Sequence, residues 1–302
     1  MSAAAVGVAA AIGSTASWAL CGVLFKRLGE RLDPIGMTVA KSLVAAALIF
    51  AAVLSIGGWT TPSVRSVALL AASGIVGVAI GDSFFFAALS RLSPLLLAIL
   101  LLAGPDVLSG VLGLVCLGEF PCWQVWCGIA AIMAAMGLLM FPIDTTGGGR
   151  STVRGLVYGV IALACTAVGS VIAKPALVGE AAVPSLEATA LRMAAGGIGL
   201  CAFGAATGRC GTWFATFRDA RYAIGFAGVT ALVAFGGFWL SLAAIKNLEI
   251  VTAGALLSLE PLFVLPMMIL FGRHKTCLRE VVGMVLAVAS VVTIALYSSG
   301  TM

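Results

Sequence analysis

The stretch PIGMTVAKSLVAAALIFAAVLSI, Pro34 to Ile56, carries a single charge, Lys41, in 23 residues. A helix rises 1.5 Å per residue, so a segment of this length crosses the hydrocarbon core of a bilayer, which is about 30 Å thick. The rest of the chain repeats the pattern. Of 302 residues, 62% are apolar and only 10% are charged, and Gly occurs 37 times. Mean hydropathy is +1.17. Soluble domains average about 25% charged residues, so this composition excludes a soluble globular enzyme.

Apolar blocks of similar length fall at approximately 4–25, 34–56, 66–89, 94–117, 124–142, 154–173, 185–207, 221–245, 249–272 and 279–298. Ten such spans occupy most of the chain and leave no room for an extramembranous domain. The predicted fold class is therefore all-α integral membrane, with ten transmembrane helices. The first block has no basic residue ahead of it, and Lys26 and Arg27 follow it. A cleaved signal peptide has the opposite polarity, so this block is expected to stay as the first membrane helix. The eight Cys lie mostly in or beside apolar blocks and include no CxxC pair. They read as small packing residues, and no metal is expected.

The chain contains an internal repeat. Gly81, Ala88 and Pro105 match Gly237, Ala244 and Pro261 at a constant offset of 156. Lys26, Pro34 and Lys41 match Lys174, Pro184 and Arg192 at offsets of 148 to 151. The organisation expected is a first five-helix repeat at 1–143, a Gly/Thr-rich linker at 144–153 and a second five-helix repeat at 154–302. Five is odd, so the second copy enters the membrane from the other side and the repeats are inverted. Loop charges follow. Lys26, Arg27, Arg31, Arg91, Arg150, Arg154, Arg209, Arg218, Arg221, Arg273, Lys275 and Arg279 fall on one face, against Arg65, Lys174 and Lys246 on the other. The positive-inside rule makes the rich face cytoplasmic and predicts non-cytoplasmic termini. The net charge of +5 thus reflects orientation, and no nucleic-acid partner is expected.

With the duplication in place, the sequence resembles the drug/metabolite transporter superfamily, specifically its ten-helix EamA-type members. The residues that carry the resemblance are Leu259-Glu260-Pro261, Leu117-Gly118-Glu119 followed by Gly128 and Gly137, and Arg192 eight residues after Pro184. It covers nearly the whole chain. The copies differ at three of these places: Arg192 matches Lys41, Glu119 matches Arg273, and Glu260 matches Gly104. What the resemblance implies is a transporter in the cytoplasmic (inner) membrane for a small organic metabolite; many relatives export amino acids or drugs.

An ionisable group near the bilayer centre costs at least about 2.5 to 3.5 kcal/mol, so it should face a partner or a wet cavity. Lys41, Asp82, Asp106, Arg192 and Glu260 are placed this way. Glu187, Glu249 and Glu280 lie nearer span ends, where a solvated face is the expectation. Lys41 and Arg192 are candidate anchors for a carboxylate or phosphate; the alternative is two structural ion pairs, Lys41 with Asp82 and Arg192 with Glu260. Phe86, Trp239 and the mid-span Trp18 are candidate cavity walls for an apolar part of a substrate. Glu260 beside Pro261 is the candidate for coupling to protons. The predicted substrate-binding set is therefore Trp18, Lys41, Asp82, Phe86, Arg192, Trp239 and Glu260, with a small-molecule substrate and the lipid bilayer as partners.

Other classes fit less well. The single His, His274, stands in a connection between Arg273 and Lys275, which argues against a Ser/His hydrolase. No GxxxxGK[ST] loop occurs, so ATP-driven pumping by this chain alone is unsupported. No cofactor and no catalytic residue are expected. A cavity with both cations and acids favours a zwitterion, so an amino acid is the expected substrate class. Anionic metabolites such as sugar phosphates, or a lipid-handling or scaffold role, are the alternatives.

Overall fold

The computed structural model describes residues 2–28, 33–57, 59–89, 91, 104–140, 153–179, 181–213, 217, 219–260, 262–263 and 278–297. Within the first repeat these form α1 (Ala3–Leu28), α2 (Pro34–Ile56), α3 (Val64–Leu89), α4 (Gly104–Leu117) and α5 (Trp123–Met140). The second repeat follows with α6 (Val153–Leu177), α7 (Ser185–Ala206), α8 (Ala220–Asn247), α9 (Ile250–Leu257) and α10 (Leu278–Tyr297). Each of the ten apolar blocks holds one of these helices. Among the described residues, six helices are long and apolar enough to cross a membrane: α1, α2, α3, α6, α7 and α8. The start of the fourth block, the end of the ninth, the Asp106 side chain and all but the last residue of the expected linker lie outside the described residues.

Local chemistry sets the helix ends. Asp33 caps α2 by accepting from the backbone N–H groups of Ile35 (3.0 Å) and Gly36 (3.3 Å), with Pro34 at the first helical position. Asp219 caps α8 in the same way, accepting from Arg221 N–H at 3.0 Å. Both satisfy donors that a helix start leaves orphaned. α2 stops at Gly57, whose φ of +134° suits glycine.

The packing carries the symmetry. α1 packs on α8 and α9, while α6 packs on α3 and α4; α2 pairs with α7, α4 with α9, and α5 with α10. Exchanging the two repeats maps this pattern onto itself, as an axis in the membrane plane requires. α3, α6 and α7 meet along glycines. A Cβ on Gly169 would stand 2.9 Å from the Gly77 Cα, and one on Gly196 3.0 Å from the Gly74 carbonyl oxygen. In lipid, close backbone approach of this kind supplies the dispersion contact that draws helices together.

Two helices loosen midway. α3 winds as a π-helix over Gly74–Asp82, and α8 does so over Val233–Trp239. At the repeat offset of 156 the two loose segments overlap, so this feature is shared by both copies. π segments occur often at functional sites because they change which side chains face inward.

The two ends of the bundle are held differently. At the first end lie the α2–α3, α4–α5, α6–α7 and α8–α9 connections. There the Glu187 carboxylate accepts from the Thr60 N–H (3.3 Å) and hydroxyl (2.5 Å), and Lys246 Nζ donates to the Val183 carbonyl at 3.2 Å. Glu187 is only 4% exposed, so the solvated face expected for it is replaced by a buried tie to the α2–α3 connection. At the second end Tyr222 Oη donates to the Leu28 carbonyl at 2.6 Å. Beside it, Phe25, Phe217 and Phe226 pack edge to face.

Candidate functional site: a charged central cavity

A cavity of about 110 Å³ opens between the repeats. Four charged residues line it: Lys41 from α2, Asp82 from the π segment of α3, Arg192 from α7 and Glu260 just beyond α9. They are 1%, 8%, 7% and 7% exposed respectively, so all four have been taken out of bulk water. Trp18, Phe85, Phe86 and Phe238 form apolar wall, and Thr166, Ser170 and Ser241 contribute hydroxyls.

The charges are not equivalent. Lys41 Nζ is ion-paired and hydrogen-bonded to Asp82 Oδ2. The same ammonium lies 4.5 Å from the ring centroid of Phe238 and 5.4 Å from that of Phe86, where ring quadrupoles attract a cation. Lys41 is therefore neutralised within the protein. Among the described residues Arg192 makes no ion pair, and its buried Nε has no hydrogen-bond partner. Gly77 leaves room beside it, since a Cβ there would stand 3.2 Å from an Arg192 terminal nitrogen. A buried guanidinium that leaves a donor unused costs free energy until an acceptor arrives.

The structure brings Trp18, Lys41, Asp82, Phe86, Arg192 and Glu260 to one cavity and leaves Trp239 off its lining. Trp239 instead donates from Nε1 to Ser185 Oγ at 3.2 Å and stands edge-on to Phe235. Phe238 takes the inward position, packed edge to face on Trp18 with centroids 4.8 Å apart. The one-residue difference falls within the loosened stretch of α8, where α-helical spacing no longer tells which side chain points in. Sequence reasoning also missed the hydroxyls. Ala162, Thr166 and Ser170 follow i, i+4, i+8 spacing along α6, a pattern visible in the sequence once α6 is known to face the cavity.

A duplicated helical unit, a cavity at the repeat interface and buried charges within it are the arrangement of a carrier. The sequence profile of the EamA-like transporter family matches the chain twice, at residues 5–141 and 153–296. The chain belongs to that family. As an EamA-like transporter it is a multi-pass integral membrane protein that moves small metabolites, and the double match coincides with the two repeats. No curated protein matches the chain. A solved structure titled only "Crystal structure of protein" superposes with a TM-score of 0.67 at 17% identity, over 95% of this chain and 96% of that one. At that identity the likeness speaks for the fold alone.

Proposed function

We propose that this EamA-like transporter exports an amino acid across the cytoplasmic membrane by alternating access. The observation that carries the reading is Arg192, buried at the cavity with an unused guanidinium donor. A substrate carboxylate satisfies that donor with charge-assisted hydrogen bonds. Glu260 on the same cavity supplies an acceptor for an ammonium group, and the Trp18–Phe238 pair offers surface to an apolar side chain. The four cavity charges sum to zero, which suits a zwitterion better than a dianion such as a sugar phosphate. Orientation follows the loop charges, with the second end of the bundle in the cytoplasm.

The test is efflux from proteoliposomes preloaded with labelled phenylalanine, methionine or threonine, beside a sugar phosphate, with and without a pH gradient. Amino-acid efflux above empty liposomes, lost in Arg192→Gln, is the expected result. Efflux of the phosphate alone would recast Arg192 as a phosphate anchor. Silence for every solute would favour a lipid-handling or scaffold role. Glu260 is proposed to carry the coupling proton, so Glu260→Gln should transport without responding to the pH gradient; a retained response would remove that role.

A further inference from the structure

At the first end of the bundle, one ion pair ties the two repeats together. Lys174, near the end of α6, is 6% exposed. Its Nζ donates to the carbonyls of Ile245 and Leu248, which close α8. The same Nζ lies 3.4 Å from Glu119 Oε1 in the α4–α5 connection, and Glu119 Oε2 accepts from the Ile250 N–H that opens α9. Glu119 belongs to the first repeat, and Lys174 and the α8–α9 joint belong to the second. The pair thus serves two helix termini at once, a cation at the carbonyl end of α8 and an anion at the amide end of α9. It also crosses from one repeat to the other, and neither Glu119 nor Lys174 lines the central cavity.

In an inverted repeat, each contact that closes one end has a counterpart that would close the other. By the sequence correspondence the counterpart of Lys174 is Lys26, and that of Glu119 is Arg273. The counterpart pair is two cations, which cannot attract each other. We infer that Glu119 and Lys174 form an inter-repeat latch that holds the first end shut and biases the resting carrier toward that state, the counterpart positions holding no acid to repeat it. This rests on the alternating-access reading above. An interaction present in one of two states shifts their populations by its own free energy, and removing it shifts them back.

The test uses the full chain in right-side-out and inside-out membrane vesicles, with Ser170→Cys as reporter and Cys165→Ser to remove the native thiol of the same peptide. Ser170 lines the cavity one helical turn beyond Thr166 toward the first end. A membrane-impermeant methanethiosulfonate is added to one face at a time, and the mass shift of the peptide containing residue 170 gives the rate. Glu119→Gln keeps an acceptor for the Ile250 N–H and removes the charge. It should raise modification from the face carrying residues 118–122 at least about fivefold and lower it from the opposite face. Glu119→Asp, charged but shorter, should fall between. Unchanged rates from both faces, with the cysteine reactive from the second-end face in each protein, would overturn the latch and leave the transport reading standing. A cysteine that reacts from neither face in any variant would overturn alternating access through this cavity, and the latch with it.

Discussion

The two copies of the five-helix unit set a cation at matching places, Lys41 on α2 and Arg192 on α7, and then treat it differently. In the first copy Lys41 is met by Asp82. At the repeat offset of 156 the position matching Asp82 is Phe238, an aromatic ring. The second copy has no carboxylate where the first has its counter-ion, and Arg192 Nε is left without a partner. In the alternating-access cycle proposed above, duplication supplies the symmetric scaffold and the broken symmetry of the side chains supplies the binding chemistry. One cation is structural and the other is available.

The sharpest way to break this contrast is Arg192→Gln, which should reduce substrate efflux to the level of empty liposomes while the protein still purifies as a folded species. Efflux near normal would mean that the unused donor does not bind substrate. Next in size is Phe238→Asp, which places an acid where the first copy has one. Set beside Lys41 and on the same cavity as Arg192, it should compete with substrate for the cations and cut efflux by roughly tenfold or more, the equivalent of one lost charge-assisted hydrogen bond. Unchanged efflux would detach the availability of Arg192 from the missing acid.

Lys41 tests the other side of the comparison. Lys41→Met should destabilise the protein by about 3 to 5 kcal/mol, because Asp82 is left buried without its counter-ion. The double change Lys41→Met with Asp82→Leu should recover most of that loss in a thermal melt. If the double variant is as unstable as the single one, the pair is not what holds this region. The smallest effect is expected at Trp239. Trp239→Phe removes only the hydrogen bond to Ser185, so stability should fall by about 1 kcal/mol with efflux unchanged; a large loss of efflux would return Trp239 to the site.

Most of the architecture is readable from the chain because lipid imposes it. A block such as 154–173 has no choice but to be a helix in hydrocarbon, and the structure extends it only to Val153–Leu177. Inversion follows from counting to five, and four buried charges of the cavity follow from the cost of placing charge in a membrane. What sequence could not give was register. The π turns in α3 and α8 leave no mark in composition, so Phe238 rather than Trp239 faces inward. Pairing is illegible for the same reason: composition allows Lys41 either to meet Asp82 or to face a ligand, and packing alone makes the ammonium satisfied and leaves the guanidinium Nε without a partner. The charge of Lys174 places it in a connection by sequence, yet it is buried, because the carbonyls freed where α8 ends accept hydrogen bonds from its ammonium.

The glycine seam between α3, α6 and α7 has a consequence for heredity. Any single-nucleotide missense change in a glycine codon installs a side chain, so Gly74 and Gly169 have no mild neighbours in the genetic code. A Cβ at either position meets backbone of another helix, which cannot swing aside as a side-chain tip can. Gly225 and Gly228, on α8, have nothing within 4 Å of where a Cβ would stand. The same codon family is thus nearly frozen on one helix face and free to drift on another, and the seam should stand out among natural variants as a run of sites where every missense change is purged.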